Sequence, residues 1–189
     1  MEEIEYGPLR FYIGSWESRG LTGENQAPDI DRKTENTKFR QVMSFEPMGD
    51  VNNHEQKLYV LRYLTQAWEE GKEDEKPFHE EVGYFIWDKA NRQVMKSFNV
   101  PRGISVLAGG DADQDATSFN LKATVGSSTY GICSNKFLDT EFQTVSYTTT
   151  FELLDEDSFS YDENSVLKMK GREKLFDHTE KNTLYRIQS

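Results

Sequence analysis

Val145-Ser146-Tyr147-Thr148-Thr149-Thr150-Phe151-Glu152-Leu153 alternates apolar or aromatic residues with polar ones. After Asp155-Glu156-Asp157 the same period resumes through Phe159, Tyr161, Leu167 and Met169. Successive side chains of a strand point to opposite faces, so this pattern on both sides of an acidic turn predicts two long antiparallel strands. Upstream, Thr37, Phe39, Gln41, Met43 and Phe45 share one face of a half-buried strand, with Lys38, Arg40 and Ser44 on the other. Leu58 to Trp68 is apolar on both faces, as expected where a strand lines a filled or ligand-holding interior.

Phe78 to Trp87, a turn at Asp88-Lys89-Ala90-Asn91 and a return over Gln93 to Val100 read as a hairpin. Pro101 lacks a ladder donor and ends or bulges that strand. Gly103 to Ala108 then resumes before a turn at Gly109-Gly110. Phe119 to Val125 is a further strand, followed by an irregular loop through Gly126, Gly131, Cys133 and Asn135, with Cys133 read as a small buried hydrophobe. Leu21 to Lys33, rich in Gly, Pro, Asn and Asp, reads as a loop or mobile lid. Glu69 to Lys76 is too densely charged to be buried and reads as a solvated tip. Trp16 is expected to plug one barrel end.

About ten strands with no sustained helical period predict an all-β chain. Residues 1–189 are expected to form a single antiparallel β-barrel, wide enough to hold a small or medium ligand. The chain has 189 residues, about one domain. Aromatics make up 13%, so a few large rings must carry much of the core. The formal charge of -11 repels phosphate backbones and argues against nucleic acid. No apolar run is long enough to span a membrane, and Met1 to Glu5 is acidic. With a lone Cys133, these features predict a cytoplasmic protein.

Asp111-Ala112-Asp113-Gln114-Asp115 fails as a calcium loop because Ala116 and Lys122 stand where a glycine and a bidentate glutamate belong. Phosphate-cradling and nucleophile-elbow motifs are absent. Glu80 and Glu81 are adjacent and point to opposite faces of a strand, so they cannot form a local catalytic pair. Of three histidines, His54 sits in a polar turn. His79 begins a strand, and His178 precedes the final strand-like run. By residue type alone, each of the latter two is first a hydrogen-bonded structural residue.

Three sets of residues carry a resemblance: Pro8-Leu9 with Ile13-Gly14-Ser15-Trp16; Phe78-His79-Glu80-Glu81-Val82-Gly83-Tyr84-Phe85; and Phe159-Ser160-Tyr161 with the segment around His178. Together they resemble the nitrobindin-like haem-binding β-barrels, a calycin-type fold akin to fatty-acid-binding proteins and lipocalins. The resemblance implies haem b as cofactor, with iron on His178 through Nε2 and the other ring nitrogen held by an acceptor. It places His79 near the pocket, and the expected lining is Phe39, Met43, Tyr63, Phe98 and Met169. It also implies nitric oxide as a partner and haem-dependent isomerisation of peroxynitrite as an activity. Two departures stand out. Gly20 to Pro28 replaces the family's glycine-rich segment ending in Tyr-Pro-Thr-Ile, and Pro101 interrupts a pocket strand. The alternative is a non-catalytic carrier of a fatty acid or other small apolar molecule, its head anchored by His178, Arg62 or Arg102. The oligomeric state is not fixed by the sequence.

Overall fold

The computed structural model describes residues 5–72 and 74–188. The acidic run Met1 to Ile4 and Glu73 of the charged tip lie outside the described residues. A 3₁₀ turn, Gly7–Tyr12, leads into β1 (Gly14–Glu17), β2 (Gly23–Pro28), β3 (Thr34–Asn53), β4 (Gln56–Glu69), β5 (His79–Asp88), β6 (Gln93–Val100), β7 (Ile104–Asp111), β8 (Ser118–Val125) and β9 (Gly131–Ser134). A short helix, α1 (Lys136–Glu141), precedes β10 (Phe142–Asp155), β11 (Ser158–Met169) and β12 (Phe176–Arg186). The two alternating segments around Asp155-Glu156-Asp157 form the hairpin β10–β11, paired from Phe142↔Met169 to Asp155↔Ser158.

The sheet closes on itself. β1 and β2 are two halves of one seam between β3 and β12. β1 bridges at one end, through Gly14↔Phe45 and Trp16↔Arg186. β2 bridges at the other, through Gly23↔Phe39 and Asn25↔Glu180. Counting that seam once gives eleven positions around the ring, one more than the pattern predicts, because the short β9 inserts between β7 and β8. Its pairing with β8 is parallel; the other pairings are antiparallel. Closure leaves no long edge for another chain to pair with.

One end of the barrel is plugged. Tyr12 and Trp16 are buried, and their rings meet Phe159 edge-on at centroid distances of 5.1 and 4.9 Å. Trp16 donates Nε1–H to the Tyr12 carbonyl at 2.7 Å. Such edge-to-face pairs add about 0.5–1.5 kcal/mol each beyond the area they bury.

Several expectations are corrected. Residues 23–28 are a strand rather than a loop; as a narrow seam it shows no apolar period because it packs through half-buried polar side chains. β7 continues through Gly109-Gly110 instead of turning there. A Cβ at Gly109 would collide with the Tyr130 ring at 2.3 Å, and one at Gly110 with the Asn120 carbonyl at 2.0 Å, so close packing explains these glycines. The loop after β8 contains β9 and α1. In β9 Ile132 faces inward, which turns Cys133 outward and exposed rather than buried.

Gly83 is a further close approach, against the strand that carries Phe98. A Cβ there would lie 1.9 Å from the Ser97 carbonyl oxygen, a backbone atom that cannot swing away. Gly83→Ala is expected to cost about 2–3 kcal/mol, read from denaturant midpoints. A change below about 0.5 kcal/mol would contradict this contact.

Candidate functional site

Inward-facing side chains form three layers: the aromatic plug, a polar middle layer and a cavity at the mouth. Strand alternation builds them. On β12, His178, Glu180, Asn182 and Leu184 run at intervals of two from mouth to plug.

The middle layer is centred on Lys96, whose side chain is 2% exposed. Its Nζ lies 3.0 Å from Glu81 Oε2, 3.3 Å from Glu163 Oε2 and 2.9 Å from the Tyr147 hydroxyl. The Phe98 ring centroid is 4.2 Å away, a cation–π contact. Each glutamate pairs with one tyrosine hydroxyl: Tyr63 donates to Glu81 and Tyr147 to Glu163, and the Tyr161 hydroxyl bonds Glu180. Gln41 accepts from Tyr161 and Asn182 and donates to Thr65.

These groups do not share charge equally. Burial alone would raise the Glu81 carboxyl, but Lys96 and His79 reverse this and hold it down at about 2. Glu163 is pushed up to about 7 by burial, reinforced by the carboxylates of Glu81 and Glu180 and opposed by Lys96. Glu180 is also raised, chiefly by burial. One carboxylate is thus ionised between two cations, and the other two are driven toward the protonated form.

Above this layer lies a cavity of about 940 Å³. Phe98, Val100, Ile104, Val106, Phe142 and Leu167 supply its apolar wall, and Arg102 and Lys76 stand at its mouth. The turn between β2 and β3 is tied across this end by Arg32, which bonds Glu141 Oε2 at 2.7 Å and the Lys170 carbonyl at 2.6 Å.

His178 and His79 line this same cavity. Burial, with the positive charges of His79 and Arg102, lowers His178 to about 4, so its imidazole is neutral and keeps a free electron pair. Burial also opposes charge on His79, but Glu81, 3.4 Å from its Nε2, overrides this and raises it to about 9. His178 Nε2 lies 3.1 Å from Asn25 Oδ1, and the Asn25 amide donates to Thr37 Oγ1 at 3.1 Å. In this arrangement Nε2 is the nitrogen held by an acceptor, the reverse of the expected roles.

The opposite shifts of the two histidines have opposite consequences for stability. His79 has a raised pKa, so its contribution is full below about 6.5 and is lost as pH rises through about 9. His178 has a depressed pKa, so it costs nothing above about 6.5 and destabilises as pH falls toward about 4. In the ligand-free protein, the ring-proton NMR signals should titrate near these two values. Two midpoints near 6.5 would contradict the assignment.

Of the other expected lining residues, Phe98 borders the cavity. Met43 and Tyr63 lie deeper, around a water-sized gap in the polar layer. Phe39 and Met169 are buried but are not among the cavity residues. Arg62 cannot anchor a ligand, because alternation turns it to the outer surface, where it pairs with Glu46 at 3.1 Å.

A family model described as the THAP4-like, heme-binding beta-barrel domain matches residues 5–186. The chain belongs to this family. The nitrobindin-like reading of the sequence and its all-β barrel are thereby borne out. The crystal structure of Rv2717c from M. tuberculosis aligns over 96% of this chain and 98% of that one, with a TM-score of 0.64 and 20% identity. At that identity the likeness concerns the fold. No curated protein matches the chain.

The residues present fit the family's cofactor. A neutral imidazole sits in the wall of an apolar-sided cavity whose volume lies within the roughly 300–1,000 Å³ typical of ligand sites. Among the described residues no group of three or more His, Cys, Asp or Glu could hold a bare metal ion. Among the same residues no helix is long and apolar enough to cross a membrane.

Proposed function

We propose that the mouth cavity binds haem b, that His178 is the protein ligand to its iron, and that the loaded barrel handles a small gas such as nitric oxide. The observation that carries this reading is the neutral His178 in the wall of an apolar-sided cavity. Bound haem would supply an iron position able to take a diatomic ligand. Phe98, Val100, Ile104 and Val106 exclude water from that space. Arg102 and Lys76 place at the mouth the charge that propionate carboxylates require. His79, kept cationic by Glu81, offers a proton donor inside the cavity, which would suit an anionic reactant such as peroxynitrite.

Titration of the purified protein with haemin tests the proposal. The expected result is a sharpened Soret band saturating at one haem per chain, with further shifts when the reduced form takes up nitric oxide. A spectrum unchanged from free haemin would overturn it.

The carrier alternative keeps one specific support, Arg102 at the mouth. A fatty-acid carboxylate could dock there. Saturable displacement of a fluorescent fatty acid without any haemin response would favour this second reading.

A further inference from the structure

An imidazole that binds a wide, planar macrocycle must do so through Nε2, because Nδ1 lies beside the Cβ stem, where the plane would run into the strand. In this barrel Nε2 is taken, 3.1 Å from Asn25 Oδ1. Asn25 is itself braced by its amide, which donates to Thr37 Oγ1 on the neighbouring strand. It lies on β2, whose backbone is pinned on both sides, through Asn25↔Glu180 to β12 and Asn25↔Thr37 to β3. The side chain can swing away without opening the seam, but not without giving up both hydrogen bonds.

We propose that Asn25 is a gate on His178: it occupies the coordinating nitrogen in the ligand-free barrel, must release it before iron can bind, and so sets the affinity and rate of haem loading. This rests on the haem reading of the cavity. A glycine at position 25 would leave the imidazole uncovered. Asn25 is thus a positioning residue that tunes loading through His178.

The test compares wild type with Asn25→Gly, Asn25→Ala and Thr37→Val. Removing the gate is expected to tighten haemin binding about tenfold, roughly the worth of one net hydrogen bond, and to speed association similarly. Thr37→Val, which only unbraces Asn25, should move both quantities the same way by less. A merely structural role would not change the ring-nitrogen NMR signature of His178. In the ligand-free wild type that signature should show Nε2 protonated, and in Asn25→Ala a mixture of tautomers. Weaker or unchanged haemin binding in both Asn25 variants would overturn the gate, as would an unprotonated Nε2 in the wild type. If haemin fails to bind the wild type at all, the haem reading fails instead. The NMR comparison, made without haem, separates the two failures.

Discussion

Replacing Lys96 with methionine is expected to destabilise the barrel by about 3–5 kcal/mol at neutral pH, because it strips the counter-charge from a buried carboxylate cluster. Lys96 bridges Glu81 and Glu163 and is itself almost wholly buried. Without it, Glu81 keeps only His79 and faces two further carboxyl groups across the barrel. The pH dependence gives the effect a signature. Loss of Lys96 raises the folded-state pKa of both Glu81 and Glu163, so the deficit is full at high pH and shrinks as pH falls through the variant's raised values toward the wild-type ones, about 7 for Glu163 and about 2 for Glu81. Denaturant unfolding at pH 5 and pH 8 reads this out. A deficit below about 1 kcal/mol, equal at both pH values, would show that Lys96 is not the counter-charge.

The second large effect concerns the cofactor. His178→Ala removes the neutral imidazole from the cavity wall and is expected to weaken haemin binding at least about 100-fold, on the order of 3 kcal/mol, with the Soret band reverting toward that of free haemin. Added imidazole should restore part of the bound spectrum, since the substitution leaves space where the ring was. His79→Ala should leave coordination in place, because Glu81 keeps His79 protonated and without a free electron pair. Equal losses in the two variants would contradict the distinct roles.

The fold was legible because its period is simple. In β10 and β11, Tyr147, Phe151, Phe159 and Tyr161 face inward at intervals of two, and closure follows from having enough such strands. Where the rule depends on apolarity it fails. β2 has almost no apolar residue because it is a short seam held by backbone pairing and amide contacts, and so it read as a loop.

The same limit hid the middle layer. Lys96 stands between Val94 and Phe98 at an inward position, as Glu81 does between His79 and Phe85 and Glu180 between His178 and Asn182. A charged residue in an inward register was a visible signal, and the β11–β12 register sets Glu163 opposite Glu180, but only closure brings Glu81 of β5 to them. Judged from neighbours in sequence, no acid pair was found, and across the barrel there is a cluster. The two histidines were legible as candidates by type. Their opposite charge states were not, since these depend on Glu81 beside one and on burial with Arg102 around the other.

The most direct test of the central claim, iron on His178, is resonance Raman spectroscopy of the ferrous haem-loaded protein, in which an iron–histidine stretching band reports the axial bond itself. That band should be present in the wild type, shift when the protein's histidines carry ¹⁵N, persist in His79→Ala and vanish in His178→Ala. A wild-type spectrum without the band, or a band that survives in His178→Ala, would contradict the claim.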